Sequence, residues 1–189
     1  MVFTSKDFRV VTVSGKVAVG TSTLSKNLTQ ALGWRYINVG EIQREYDRQH
    51  QIAENKQGAA SRPDDHEKEI DEMTKKMLKT EENIIYEAWL AGFMAQGISQ
   101  VFKVLLICSH DEVRVDRVVN RENITVDQAK EWIKQREEEN FKKWQKLYGP
   151  YNFWDPKYYD LVIDTYSSGP METVGKVLDK LRFKGNLLK

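Results

Sequence analysis

Two glycines, Gly15 and Gly20, bracket four residues and are followed by the hydroxyl side chains of Thr21 and Ser22. In a tight loop, successive backbone N–H groups point at the oxygens of a phosphate, and the positive end of a following helix adds to their field. Ser22 stands where the phosphate-binding loop pattern has its Mg²⁺ ligand. The sequence therefore predicts a nucleotide phosphate site that ends near Thr23.

The position before Ser22 departs from that pattern. The pattern has a lysine there that neutralises charge on the transferred phosphoryl group, whereas this chain has Thr21. Three interpretations stay open. Lys16, inside the same loop, supplies the cation; or backbone amides, Mg²⁺ and distant arginines act without it; or the segment is a nucleotide-binding relic. A fourth alternative is a glycine-bearing turn that binds no ligand.

Short apolar segments alternate with longer helical patterns along the chain. Strands are predicted at 9–13, 35–39, 83–87, 101–108 and 159–164, and the clearest helices at 22–32, 41–51, 66–79, 111–120 and 126–146. Such alternation favours a parallel sheet covered on both faces. The predicted fold class is α/β, a three-layer α/β/α domain with a five-stranded parallel sheet.

Local signals mark individual helix ends. Gly33 stands where a helix C-terminal glycine belongs. Ser109 with Glu112, and Thr125 with Gln128, have the spacing of a capping box. We therefore expect one helix to end before Gly33 and two others to begin near 110 and 126.

Two stretches are too polar for the core. Residues 54–69 are predicted to form a mobile connection into a surface helix. Residues 114–146 carry several arginines among many acids and are predicted to form a helical hairpin, broken near 122–125. A solvated surface is one interpretation of this hairpin. In a phosphate-binding domain the other is a closing lid, which brings arginines onto phosphates and excludes water.

Bulk composition excludes several classes of protein. The 189 residues fit one domain, and 29 basic against 28 acidic side chains give no global signature of nucleic-acid binding. One cysteine, Cys108, lies in an apolar run and is predicted to be a buried strand residue without a disulfide partner. The three histidines lack metal-ligand spacing, and no signal peptide or membrane span is evident. We expect a monomer in the cytoplasm.

From Val10 to about Leu178 the chain resembles the nucleoside monophosphate kinases, in particular the small cytidylate kinases of archaeal type. The run from Gly20 to Thr23 resembles the end of their phosphate-binding loop. The segment from Val39 to Arg44 is similar to the family segment whose arginine holds the acceptor phosphate, which implies that Gly40 and Arg44 bind the acceptor. A planar guanidinium suits this role because it binds phosphate bidentately. The alternative for Arg44 is an exposed helix arginine.

Further matches lie at the predicted acceptor pocket. Asp71 resembles a residue of the family's monophosphate-binding helix, where its carboxylate accepts from a base amino group; an exposed surface position is the alternative. The run from Asn83 to Phe93 resembles a segment that follows a central strand. It implies that Glu87 orients Mg²⁺-bound water, with a structural acid as the alternative. Trp89 replaces the family's arginine on the acceptor phosphate.

The hairpin resembles the family lid, with Arg117, Arg121 and Arg136 at its arginine positions. Lys143 and the residues to Gly149 resemble a later aromatic run of that lid. The aromatic stretch 148–156 is interpreted mainly as packing beneath the lid, with base stacking as the alternative.

The resemblance implies a single kinase-like domain over 1–189, with a phosphate-binding-loop NTPase fold, an acceptor segment at about 40–80 and a helical lid at about 114–148. It implies γ-phosphoryl transfer from Mg²⁺-ATP to a nucleoside monophosphate, CMP or dCMP. Two rivals stay open: a nucleotide-binding or regulatory protein without turnover, and a kinase for another small acceptor.

The assigned residues fall into four groups. ATP binding is assigned to Gly15, Lys16, Val17, Ala18, Val19, Gly20, Thr21, Ser22 and Thr23; catalysis to Lys16, Arg117, Arg121 and Arg136; acceptor binding to Gly40, Arg44, Asp71 and Trp89; and the metal to Ser22 and Glu87. The expected partners are ATP and the monophosphate, with no nucleic acid polymer and no membrane.

Overall fold

The computed structural model describes residues 8–52 and 61–181. Its sheet has five parallel strands in the order β2-β3-β1-β4-β5. The strands are β1 (Val10–Gly15), β2 (Arg35–Asn38), β3 (Ile84–Glu87), β4 (Val101–Ile107) and β5 (Leu161–Asp164). The predicted five-stranded parallel sheet is confirmed.

Helices connect the strands and cover the sheet. They are α1 (Thr21–Leu32), α2 (Val39–Gln49), α3 (Asp64–Thr80), α4 (Ala91–Met94), α5 (Asp111–Glu122), α6 (Val126–Tyr148) and α7 (Pro170–Lys180). Helices α4 and α7 are not among those predicted. None of the helices in the described ranges has the length and apolarity needed to cross a membrane.

Side chains on the two faces of the sheet bury two apolar clusters, because successive strand residues point to opposite faces. On one face Val11 and Val13 pack with Leu24 and Leu28 of α1 and with residues of α7. On the other face the central strands pack with α3 and α4, where Leu78 is fully buried. The layers meet as α/β/α, and they hold the carboxyl ends of β1 and β3 side by side.

Element ends differ from the sequence prediction by up to two residues, as at α2 and β5. Helix α2 begins two residues early because the side chain of Asn38 accepts a hydrogen bond from the backbone N–H of Glu41 at 3.2 Å. Strand β5 begins two residues late, at Leu161. At the preceding Asp160, the side-chain carboxylate accepts a hydrogen bond from the backbone N–H of Lys103 at 2.8 Å.

Of the predicted caps, two are confirmed and one is wrong. Gly33 has a φ of 68° and ends α1, and Thr125 forms a reciprocal capping box with Gln128. The pair Ser109 and Glu112 does not cap α5. Ser109 instead donates its backbone N–H to the Asp164 carboxylate at 3.0 Å, so the helix begins after His110 without a side-chain cap.

Cys108 was expected inside a strand, and that prediction is wrong. It follows the last residue of β4, it is only partly buried, and its thiol lies 3.4 Å from the carbonyl oxygen of His110. The first part of the connection predicted at 54–69, residues 54–60, lies outside the described residues. Its last part already belongs to α3, and the predicted hairpin is present as α5 and α6.

Candidate active site

The loop between β1 and α1 has the backbone that a phosphate cradle needs. A Cβ at Gly15 would lie 2.5 Å from Val19 and 2.7 Å from the carbonyl oxygen of Leu106, so only glycine fits there. Gly20 has a φ of 98° and caps the first turn of α1. Ala18 also lies in the left-handed region, with a φ of 58°. Loop amides and the positive end of α1 therefore meet at one place.

Two arginines of α5 hold the loop through its carbonyl groups. Arg114, which is buried, donates its Nε–H to the carbonyl oxygen of Val17 at 2.9 Å. Arg117 donates to the carbonyl oxygen of Ala18 at 3.0 Å and to both the hydroxyl and the carbonyl oxygen of Thr165, each at 3.1 Å. Arg117 therefore links the loop to Thr165, the residue that follows β5.

Glu87 ends β3 beside the loop, and hydroxyl groups surround it. Thr21 and Ser22 each donate to its Oε1 at 2.7 Å. Tyr36 donates to Oε2, and Asn38 donates its side-chain N–H to the Tyr36 hydroxyl oxygen at 2.9 Å. Burial, with the hydrogen bond to Glu87, raises the pKa of Tyr36, which keeps its hydroxyl a donor.

This donor set suits Mg²⁺. The cation prefers oxygen ligands, and protein sites commonly hold it through one or two such groups plus substrate phosphates. Ser22 and Glu87 offer a hydroxyl and a carboxylate in direct contact. Within the described residues no cluster of three or more His, Cys, Asp or Glu side chains could cage a metal alone. The residues present therefore fit a nucleotide-bound Mg²⁺ rather than an all-protein cage.

A cleft of about 650 Å³ opens in front of the loop, a size typical of small-molecule sites. Most of the residues assigned from the sequence line it together: Gly15, Lys16, Val17, Ala18, Gly20, Thr21, Ser22, Thr23, Gly40, Arg44, Glu87, Trp89, Arg117, Arg121 and Arg136. Val19 does not line it, because its side chain is buried in the core. Asp71 lies outside this cleft.

Arg136 of α6 projects between two indole rings. Its guanidinium carbon lies 5.1 Å from the ring centre of Trp132 and 5.9 Å from that of Trp89. Its Nε is buried without a hydrogen-bond partner among the described residues. Burial, followed by repulsion from Arg121 and Arg44, lowers the pKa of Arg136 to about 10. Converging cations with an unsatisfied donor form a site for an anion.

Lys16 sits at the lid side of the cleft. Its ammonium lies 3.7 Å from the Glu137 carboxylate and 5.3 Å from the ring centre of Trp154. Glu137 also pairs with Arg114. Because the Lys16 side chain is 45% exposed, its long stem has room to move.

A second cavity, of about 80 Å³, adjoins the cleft and shares Gly40, Trp89 and Arg136 with it. Asp71 lines this cavity, and burial, with the nearby charge of Glu67, raises its pKa to about 7. The surface alternative for Asp71 is thereby less favourable. The cavity meets the cleft at Arg136, which lines both.

Buried polar residues that sequence reasoning missed form one wall of this second cavity. Arg62 binds both oxygens of Asp47 at 2.7 Å and lies 3.4 Å from Glu67. Gln43 donates to Glu67 at 3.5 Å. In the sequence, the position of Arg62 directly before a proline is its one distinguishing feature, and no pattern distinguishes its buried partner, Asp47. This network fixes α2 against α3 around the cavity.

The aromatic stretch 148–156 packs against α6, as the predicted packing role requires. Phe153 is fully buried against Trp144 and Phe93, with ring centres 6.2 and 4.9 Å apart. Trp89 joins the cluster 5.4 Å from Trp144. The cluster anchors the C-terminal half of α6, while Arg136 extends from its other half over the cleft.

Comparison with known proteins agrees with this geometry. The model described as the cytidylate kinase-like family matches residues 10–167. The cytidylate kinase of Methanosarcina mazei is 36% identical over 166 residues, covering 87% of this chain and 91% of the relative. That of Thermococcus sibiricus is 34% identical over 171 residues, covering 88% and 84%.

Solved structures share the fold at lower identity. A shikimate kinase from Acinetobacter baumannii has a TM-score of 0.59 at 12% identity and covers 98% of this chain and all (100%) of its own. A gluconokinase from Sinorhizobium meliloti has a TM-score of 0.57 at 15% identity, with 92% and 91% covered. At these identities the likeness concerns the fold alone.

Proposed function

The chain belongs to the cytidylate kinase-like family, and from this premise we propose that it transfers the γ-phosphoryl group of ATP to a pyrimidine nucleoside monophosphate, CMP or dCMP. One observation carries the proposal most directly. A cavity lined by the carboxylate of Asp71 opens into the cleft of the phosphate loop, and Arg136 lines both.

The donor lies on the loop. Backbone amides from Gly15 to Thr23 cradle its phosphates, and Lys16 turns from Glu137 towards them. Ser22 and Glu87 hold Mg²⁺, which when bound neutralises charge on the β- and γ-phosphates. Thr21, which stands in place of the usual lysine, donates a hydrogen bond from its hydroxyl to Glu87.

The acceptor spans the two cavities. Its base occupies the smaller cavity, where ionised Asp71 accepts from the exocyclic amine of cytosine. Its phosphate reaches the cleft, where Arg44 and Arg136 converge. Arg136 thereby supplies a cation at a junction where Trp89 supplies none, and Trp89 provides the apolar face on which that guanidinium rests.

Transfer needs little covalent participation by the protein. An oxygen of the acceptor phosphate attacks the γ-phosphorus in line as the bond to the bridging oxygen of ADP breaks, giving ADP and the nucleoside diphosphate. Arg121 and Arg136 offset charge that develops on the transferring group, while Arg117 keeps the loop in shape. Positioning and charge neutralisation therefore carry the reaction.

Helices α5 and α6 act as the lid, and residues 40–80 as the acceptor segment, of a single domain. Every group that the mechanism uses comes from one chain, so a monomer suffices. The cytoplasm is the compartment we propose, supported by a single cysteine in the sequence. Neither rival function gains support from the comparisons, since the sugar and shikimate kinases share only the fold.

The test is ADP formation by purified protein with Mg²⁺-ATP and a panel of nucleoside monophosphates, with a no-acceptor control. Turnover that requires an acceptor and is strongest with CMP or dCMP is the expected result. ATP binding without turnover on any acceptor would favour the nucleotide-binding or regulatory protein. Turnover on a shikimate or sugar panel alone would favour a kinase for another small acceptor.

A further inference from the structure

Tyr36 is absent from the reaction scheme above, yet its hydroxyl contacts the carboxylate proposed for the metal. Tyr36 lies on β2, whose register pairs it with Ile85 and pairs Asn38 with Glu87 on β3. Its hydroxyl donates to Oε2 of Glu87 and accepts from the side chain of Asn38 at 2.9 Å.

The remaining donors to Glu87 come from the phosphate loop. Thr21 and Ser22 both bind Oε1, each at 2.7 Å. These two contacts hold Oε1 alone, so they leave the carboxyl group more freedom to rotate about the C–C bond that joins it to the side chain. The bond from Tyr36 to the other oxygen removes that freedom.

Asn38 fixes the direction of the Tyr36 hydroxyl. Its amide N–H occupies a lone pair of the phenol oxygen, and its amide oxygen accepts the Glu41 N–H at the first turn of α2. The phenol proton is thus directed at Glu87, and the chain of hydrogen bonds runs from α2 to the loop.

We propose that Tyr36 is a positioning residue that orients Glu87 for nucleotide-bound Mg²⁺. The inference rests on the proposed function, because it takes Mg²⁺-ATP as the ligand of the loop. Tyr36 touches neither ATP nor the metal; it acts through the carboxylate. Its removal therefore weakens the contribution of Mg²⁺ to nucleotide binding and leaves metal-free binding unchanged.

The experiment is calorimetric titration with the non-hydrolysable analogue AMP-PNP, once with Mg²⁺ and once with EDTA, so that no turnover is needed. The variants are Tyr36→Phe, Glu87→Gln and the double variant. Tyr159→Phe is the matched control, because it also deletes a phenol hydroxyl that donates a hydrogen bond, there to the Phe153 carbonyl at 2.8 Å. Thermal melts confirm that each variant folds.

In Tyr36→Phe the affinity gained from Mg²⁺ is expected to fall about tenfold, equivalent to about 1.4 kcal/mol and typical of one hydrogen bond to a charged group. Glu87→Gln loses at least as much, and the double variant loses no more than Glu87→Gln alone, because both changes remove the same interaction. Tyr159→Phe keeps the full gain.

Three results would overturn the proposal. If Tyr36→Phe retains the whole Mg²⁺-dependent gain while the wild type shows one, Tyr36 does not position Glu87 and the proposed function stands. If the losses add in the double variant, Tyr36 acts by another route. If the wild type binds no nucleotide under either condition, the proposed function fails together with this inference.

Discussion

Replacing Arg136 with methionine should stabilise the free protein and weaken acceptor binding at the same time. The guanidinium is buried and crowded by other cations, and both effects lower its pKa, to about 10. At about 1.36 kcal/mol per pKa unit, keeping the charge in the free protein costs about 3 kcal/mol. Methionine removes that cost and keeps a flexible apolar stem between Trp89 and Trp132.

Part of the gain is lost with the two contacts to the indole rings, each worth about 0.5 to 1 kcal/mol. A net stabilisation of about 1 kcal/mol remains, which corresponds to a rise of about 2–4 °C in Tm for a domain of this size. Differential scanning calorimetry of the free protein measures it. Arg121→Met is the control: Arg121 is half exposed and pairs with Glu122 at 2.7 Å, so its removal only relieves its repulsion of Arg136 and should give a smaller rise.

Binding should change in the opposite direction. Arg136→Met is expected to weaken CMP binding by about 1.5 to 3 kcal/mol, the range for a hydrogen bond to a charged group. Cytidine, which lacks the phosphate, should bind both proteins equally. A lower Tm together with unchanged CMP affinity would refute the reasoning, because Arg136 would then be a structural residue and not part of an anion site.

Three further predictions concern the loop and the second cavity. Thr21→Lys should lower kcat, because the new ammonium pairs with Glu87 and competes with Mg²⁺; steady-state kinetics across Mg²⁺ concentrations measures this. Lys16→Ala should reduce kcat strongly but change unfolding free energy by about 1 kcal/mol or less, since its partner contact is half exposed; chemical denaturation supplies the comparison. CMP affinity should rise with pH through about 7, the pKa of Asp71, because the ionised carboxylate accepts from the cytosine amine more strongly than the protonated acid does; titrations at several pH values check it, and Asp71→Asn, which keeps only the pH dependence of the CMP phosphate, is the control.

Each of these has a contrary outcome. A higher kcat in Thr21→Lys would show that the missing lysine limits the reaction. Unchanged kcat in Lys16→Ala would return Lys16 to the surface. A pH-independent CMP affinity in the wild type would remove Asp71 from base recognition.

The raised pKa of Asp71 also has a consequence for folding. The folded state holds a proton that the unfolded chain, with an ordinary Asp pKa of 3.8, releases at lower pH. The Asp71 contribution to the free energy of unfolding is therefore fully present below pH 3.8 and declines as pH rises towards 7. Comparison of wild type with Asp71→Asn isolates this contribution from those of other carboxyl groups.

Much of the fold followed from local sequence. The apolar runs indicated the strands because a parallel strand buried on both faces is mostly apolar, as β1 is at Val10, Val11 and Val13 despite the buried Thr12 and Ser14. Gly33 predicted a helix end correctly because the left-handed conformation that ends α1 is one that glycine adopts readily, whatever the distant contacts. Cys108 was wrongly placed in a strand because an apolar run does not show where strand pairing ends. The Asp164 carboxylate, which binds the backbone N–H of Ser109 just after Cys108, is distant in sequence.

The site was only partly predictable for the same reason. The phosphate loop is contiguous, so its spacing is visible in the chain. The contact of Tyr36 with Glu87 depends on β2 lying beside β3, and no local pattern sets that order. The buried pair similarly joins residues from different elements: Asp47 belongs to α2, and Arg62 precedes α3.

The most direct test of the central claim is a single turnover with ATP labelled at the γ-phosphate and an excess of CMP, with the products separated by chromatography. The account predicts that the label moves into CDP, and that Glu87→Gln slows its appearance. Release of the label as inorganic phosphate, with no labelled CDP at any time, would contradict it.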